Sequence, residues 1–80
     1  MRIPRDISAG DLIKLLKPFG YSVTRQTGSH IRLTTELNGQ HHITIPNHNP
    51  VKIGTLSAIL ADVAIHLNKP KEKMLAEIFG

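Results

Sequence analysis

Apolar positions change period twice along the chain, and those changes divide it into elements. Leu12, Ile13, Leu15, Leu16 and Phe19 recur at helical spacing. Ser8 precedes them with Asp11 three residues on, the pattern of a capping box in which each side chain takes up the other residue's backbone amide. Pro18 removes an amide donor and crowds the carbonyl four residues back, so regular helix should end near Lys17, with Gly20 supplying a left-handed stop. The period then falls to two. Tyr21 and Val23 alternate with Ser22 and Thr24; Ile31, Leu33 and Leu37 with His30, Arg32, Thr34 and Glu36; Ile43 and Ile45 with His42 and Thr44. Gly28-Ser29 joins the first two of these strands tightly, and Asn38-Gly39 is a type I′ hairpin signal between the second and third.

Pro46 stops the third strand, and Asn47, His48, Asn49 and Pro50 form a loop before the helical period returns. Thr55 is the expected N-cap of a helix whose apolar stripe is Leu56, Ile59, Leu60, Val63, Ala64 and Leu67. Asn68 and Pro70 mark a break and restart, and a last helix runs to about Phe79 with Met74, Leu75, Ile78 and Phe79 on its buried side. Helix, three strands, helix and short helix specify an α+β fold, a two-layer sandwich whose antiparallel sheet packs one apolar face on the helices. The other sheet face is left to solvent or a partner. Length and the absence of repeats and low-complexity stretches predict a single domain over residues 1–80.

Composition narrows the chemistry. The chain has no cysteine, which excludes disulfide staples, thiolate metal sites and a cysteine nucleophile. Ten Lys and Arg against six Asp and Glu give +4, and the excess lies early: Arg2, Arg5, Lys14, Lys17, Arg25 and Arg32 face only Asp6 and Asp11 before residue 36. A basic N-terminal half beside a balanced C-terminal half points to a polyanion or an acidic protein as partner. Neither a membrane-length apolar run nor a signal-peptide core is present, so a cytoplasmic protein without membrane contact is expected.

Five histidines are the most chemically active residues on offer. His41 and His42 are neighbours in a strand and point to opposite faces, so they cannot readily share a metal, and no H-E-x-x-H or comparable ligand spacing occurs. No metal and no cofactor are expected. No nucleophile elbow supports a Ser-His-Asp triad. His30 differs in its surroundings. It opens the second strand just after Gly28 and Ser29, where a tight turn lets backbone amides approach a ligand, and Arg32 follows two residues on along the same face. With Arg25, His42 and Thr44 these residues assemble a cationic, hydrogen-bonding face with an imidazole at its edge. RNA could use such a face, because cleavage of a phosphodiester needs a group to take a proton from the ribose 2′-hydroxyl or give one to the leaving oxygen, and cations to hold the charged phosphorus centre. A strand-edge histidine facing only water is the competing reading. His48 either caps the start of the second helix or contacts RNA, Lys52 stands where helix amides favour an anion, and His66 reads as a surface or boundary residue near a helix end.

The run Asp11-Leu-Ile-Lys-Leu-Leu16, Gly20-Tyr-Ser-Val23, Arg25-Gln-Thr-Gly-Ser-His30, His42-Ile-Thr-Ile-Pro46 and Lys52-Ile-Gly-Thr-Leu-Ser-Ala-Ile-Leu60 closely resembles the HicA-type toxins of bacterial and archaeal toxin–antitoxin systems. The likeness extends from about Asp6 to Phe79. It implies a fold similar to double-stranded RNA-binding domains and a ribonuclease that blocks translation by cutting mRNA, with His30 as the catalytic histidine. It also implies a cognate HicB-like antitoxin covering the active surface. On this reading Arg25, Gly28, Ser29, Arg32, His42, Thr44, His48 and Lys52 are the RNA-binding candidates. Two rivals stay open at this point: a non-catalytic RNA-binding module of the same fold, and an interaction protein whose basic face meets only an acidic protein. Few aromatics, Phe19, Tyr21 and Phe79, argue against base stacking as the main binding mode.

Overall fold

A computed structural model describes residues 3–80; Arg2, counted in the basic N-terminal half, lies outside them. Helix α1 spans Ala9–Leu16 and is closed at its start by the expected capping box. The Asp11 amide donates to Ser8 Oγ at 3.0 Å and the Ser8 amide to Asp11 Oδ2 at 3.2 Å. The bonds from the Ser8 amide and hydroxyl hold the Asp11 carboxyl below the usual carboxylate range. Pro18 does not kink the helix, because regular α-helix ends at Leu16 and the proline lies within a 3₁₀ turn over Lys17–Phe19. Gly20 then takes φ 84°, and a Cβ there would come within 2.6 Å of Thr35 Oγ1, so both conformation and close approach demand glycine.

Strands β1 (Ser22–Thr27), β2 (His30–Thr35) and β3 (His41–Pro46) form an antiparallel meander in the order β1-β2-β3. Central β2 sets the faces. Ile31 and Leu33 turn into the core with Ile43 and Ile45 of β3, which puts His30, Arg32 and Thr34 on the opposite side. The expected apolar row on β1 does not form: all six of its residues are exposed, Val23 among them, and Tyr21 is buried just before the strand begins. As an edge strand, β1 takes its order from its pairing with β2 rather than from burial.

The link between β2 and β3 also differs from a two-residue type I′ turn. Asn38 and Gly39 do take positive φ, 58° and 95°. The last ladder pair, however, is Thr35 with His41, which leaves residues 36–40 as a five-residue loop with Leu37 exposed. Tertiary bonds capture the strand end: Thr35 Oγ1 donates to the Phe19 carbonyl at 3.1 Å and accepts the Leu37 amide at 3.0 Å.

Helix α2 covers Ile53–His66 and buries Leu56, Ile59, Leu60, Val63 and Ala64 against the sheet. Its N-cap is Lys52, not Thr55, which lies inside the first turn. The Val51 amide donates to the Ile7 carbonyl at 2.8 Å and its side chain enters the core, so helix geometry starts directly after that anchor, without a side-chain cap. Helix α3 (Lys71–Phe79) buries Met74 and Leu75 against α2, with Ile78 and Phe79 partly covered. All the helices thus serve the apolar face, and the polar face of the sheet stays open.

Candidate active site

Two residues, Gly28 and Ser29, connect the ladder pair of Thr27 with His30. Gly28 has φ 52° with open space where a Cβ would be, so it is needed for its conformation and not for room. Positive φ at the first turn residue alone is the type II′ pattern. His30 pairs on its other side with Pro46, and the Asn47 amide donates to the Ser29 carbonyl at 2.7 Å. The β1-β2 turn, His30 and the loop carrying His48 are therefore held at one end of the sheet.

Beside that end lies a depression of about 160 Å³ lined by Arg25, Thr27, His30, Arg32 and Thr44. A β-bulge at Thr24 builds it. Val23 pairs with Leu33, and continuing that register would set Arg25 opposite Ile31, on the core row; the extra residue instead sets Arg25 opposite Arg32. Like charges directly across a ladder are unfavourable unless something anionic comes between them. Among the described residues the ion pairs are His41–Asp62 and Lys69–Glu77, and neither arginine belongs to one. Two exposed guanidiniums, two hydroxyls and an exposed imidazole thus converge on one hollow, a set suited to gripping a phosphate by its oxygens and exchanging protons next to it.

A family model described as HicA toxin of bacterial toxin-antitoxin matches residues 9–65. The chain belongs to the HicA toxin family. The matched segment runs from the start of α1 almost to the end of α2 and contains every residue of the depression. As a HicA-family chain it is the toxin of a toxin–antitoxin system, with a cognate antitoxin as partner. No curated protein and no solved structure matches it significantly. Among the described residues no helix is long and apolar enough to cross a membrane.

The fold of this HicA-family chain distributes the remaining candidates unevenly. Arg25, His30, Arg32 and Thr44 meet in the hollow, joined by Thr27, which is not among the residues expected there. Its signal was available, since a two-residue Gly28-Ser29 turn makes Thr27 the cross-strand partner of His30. Gly28 and Ser29 form the rim turn. His42 shares the polar face but sits further along β3, with Nδ1 at 2.7 Å from Thr34 Oγ1. His48 is exposed on the loop tied to Ser29, and Lys52 precedes α2 outside the hollow.

His41 and His66 serve the other side of the sheet. His41 Nδ1 is 2.7 Å from the Tyr21 hydroxyl and Nε2 is 3.3 Å from Asp62 Oδ1. The two imidazoles stack with centroids 4.3 Å apart and planes within 10°. His66 Nε2 donates to the carbonyls of Leu37 and Gly39 at 2.9 and 3.0 Å, while Asn38 Nδ2 donates to the His66 carbonyl at 2.8 Å. His66 is thus the boundary residue its position suggests, with the added task of clamping the β2-β3 loop to the end of α2. Burial, and secondarily the Asp62 charge, pushes the Tyr21 hydroxyl up to about 12.

Proposed function

We propose that this toxin is an endoribonuclease that binds mRNA through its phosphates on the polar sheet face and cuts it with His30 as the single catalytic histidine, so blocking translation in the cytoplasm. The observation that carries this reading is the convergence of His30 in one open hollow with two arginines that have no carboxylate partner among the described residues. In the reaction the ribose 2′-oxygen forms a bond to phosphorus, the bond from phosphorus to the 5′ oxygen breaks, one proton leaves the 2′-hydroxyl and one reaches the departing oxygen. His30 takes the first proton, gives the second, or does both through water. Arg25 and Arg32 hold the non-bridging oxygens as negative charge builds on them, and Thr27 and Thr44 add hydroxyl contacts. Gly28 and Ser29 place backbone amides at the rim, while His42, His48 and Lys52 extend the RNA path beyond the hollow. The cognate HicB-like antitoxin neutralises the toxin by covering this same cationic face.

A second reading, a non-catalytic RNA-binding module of the same fold, draws on the aromatics. Tyr21 is buried and Phe19 and Phe79 pack partly against the core, so the face is equipped for backbone contact and not for stacking bases. Induced expression separates the two. Wild type should arrest growth and fragment mRNA, and folded His30→Ala should do neither; RNA left intact by wild type would favour the binding module.

A further inference from the structure

Three hydroxyl and imidazole groups outside the hollow form a chain across all three strands. Thr24 Oγ1 lies 2.8 Å from Thr34 Oγ1, which lies 2.7 Å from His42 Nδ1. Thr34 is buried and has one hydroxyl proton for two neighbours, so it donates to one and accepts from the other. In either arrangement Nδ1 is engaged. His42 is exposed, and among the described residues its Nε2 has no partner. The ring is therefore held in place from behind with one nitrogen left for something outside the protein. Rigid support of this kind is what a recognition residue needs, because the cost of fixing the side chain has been met before ligand arrives.

The register says how far away that recognition happens. His30 faces Pro46 and Thr34 faces His42, so the two imidazoles lie on one face, four residues apart along β3, roughly 13 Å at strand rise. The row of Arg25, Arg32 and Thr44 comes between. A phosphodiester held at His30 cannot reach His42, so His42 is not a second acid or base for the same bond. A longer RNA strand crossing the arginine row can reach both.

We infer that His42 is a specificity-determining residue that contacts a nucleotide one or two positions from the scissile phosphate, and that Thr34, backed by Thr24, is the positioning residue that aims it. The inference rests on RNA as the ligand of this face and adds a subsite to it. Substrates must then be strands long enough to span both rows, and the bond chosen for cutting depends on what the His42 subsite accepts.

The test measures affinity for an RNA oligomer in the His30→Ala background, where RNA stays uncut, with and without His42→Ala, Thr34→Val and Thr34→Ser. His42→Ala should weaken binding roughly tenfold, the loss of a hydrogen bond to a charged or strongly polar group. Thr34→Val should weaken it by part of that, and Thr34→Ser, which keeps the hydroxyl, should restore it. With His30 present, His42→Ala should raise KM, leave kcat within a factor of two or so, and change which bonds in a long mRNA are cut. Unchanged affinity and an unchanged cleavage map in His42→Ala would overturn the inference, as would a fall in kcat at constant KM. Because affinity is read without cleavage, a protein that cuts no RNA defeats the nuclease reading while leaving the subsite to stand or fall on binding.

Discussion

His30 and His41 stand at opposite ends of neighbouring strands, and their surroundings are opposites too. Both nitrogens of His41 are engaged, by the Tyr21 hydroxyl and the Asp62 carboxylate, and its ring is stacked on His66. His30 lies exposed on the other face, lining a hollow with two arginines that have no carboxylate partner among the described residues. The saturated histidine joins the sheet to α2 and the β2-β3 loop. The unsaturated one is left with its hydrogen-bonding capacity unspent at the surface. What its neighbours leave undone thus separates one histidine from another, which the residue type alone does not.

The sharpest way to break this contrast is to remove the charges around the open histidine. Arg25→Ala with Arg32→Ala should weaken binding of single-stranded RNA roughly 30- to 100-fold at low salt and flatten the dependence of log K on log salt by about 1.4, two phosphate contacts' worth. Isothermal or fluorescence titration across a salt series reads both, and an unchanged slope would remove the arginines from the phosphate path. Thermal stability should hold or rise, because a like-charge pair has gone.

The closed side should instead answer in stability. Tyr21 carries a folded-state pKa raised from 10.0 to about 12, so the folded protein resists ionisation that the unfolded chain accepts. That stabilisation is fully present below about pH 10 and is lost as pH rises through 12, at most on the order of 2 to 3 kcal/mol. Denaturant unfolding of wild type should weaken over that window, and Tyr21→Phe, less stable at neutrality for want of the His41 bond, should show a flatter alkaline limb. Equal slopes in the two proteins would contradict it. The smallest effect is expected at the turn: Gly28→Ala at φ 52° should cost about 1 kcal/mol through backbone strain alone, since the Cβ meets no atom. Its cleavage rate should fall with the displacement of His30, and a loss confined to stability would show that the turn does not aim the imidazole.

How much of this was legible beforehand depended on whether a feature was local. The capping box of α1, the stop at Gly20 and the alternation of β2 from His30 to Leu33 are written in adjacent residues, and the structure contains them all. Beyond Leu33 the alternation lapses, with Thr34 and Thr35 both buried and Leu37 exposed in the loop. Alternation also put His41 and His42 on opposite faces, as they are. Features fixed by distant contacts were not legible. Strict alternation from Val23 would turn Arg25 inward, and only the bulge returns it to the polar face. The five-residue β2-β3 loop depends on Thr35, Phe19 and His66, none of which is part of an Asn-Gly signal. The start of α2 at Lys52 is set by Val51 reaching Ile7, so the cap-forming hydroxyl of Thr55 was a misleading cue. Of the hollow, His30, Arg32 and Thr44 could be named from pattern, Arg25 from its charge but not from its place in the alternation, while Thr27 required the turn length as well.

The most direct test of the central claim is single-turnover cleavage of one mRNA by purified wild type, His30→Ala and His41→Ala, each rate expressed per folded molecule. The open histidine should cost at least about 100-fold in rate with the thermal midpoint unmoved. The closed one should cost about 1 to 3 kcal/mol of stability with the rate per folded molecule kept. Cleavage by folded His30→Ala at the wild-type rate, or its loss in folded His41→Ala, would contradict the account.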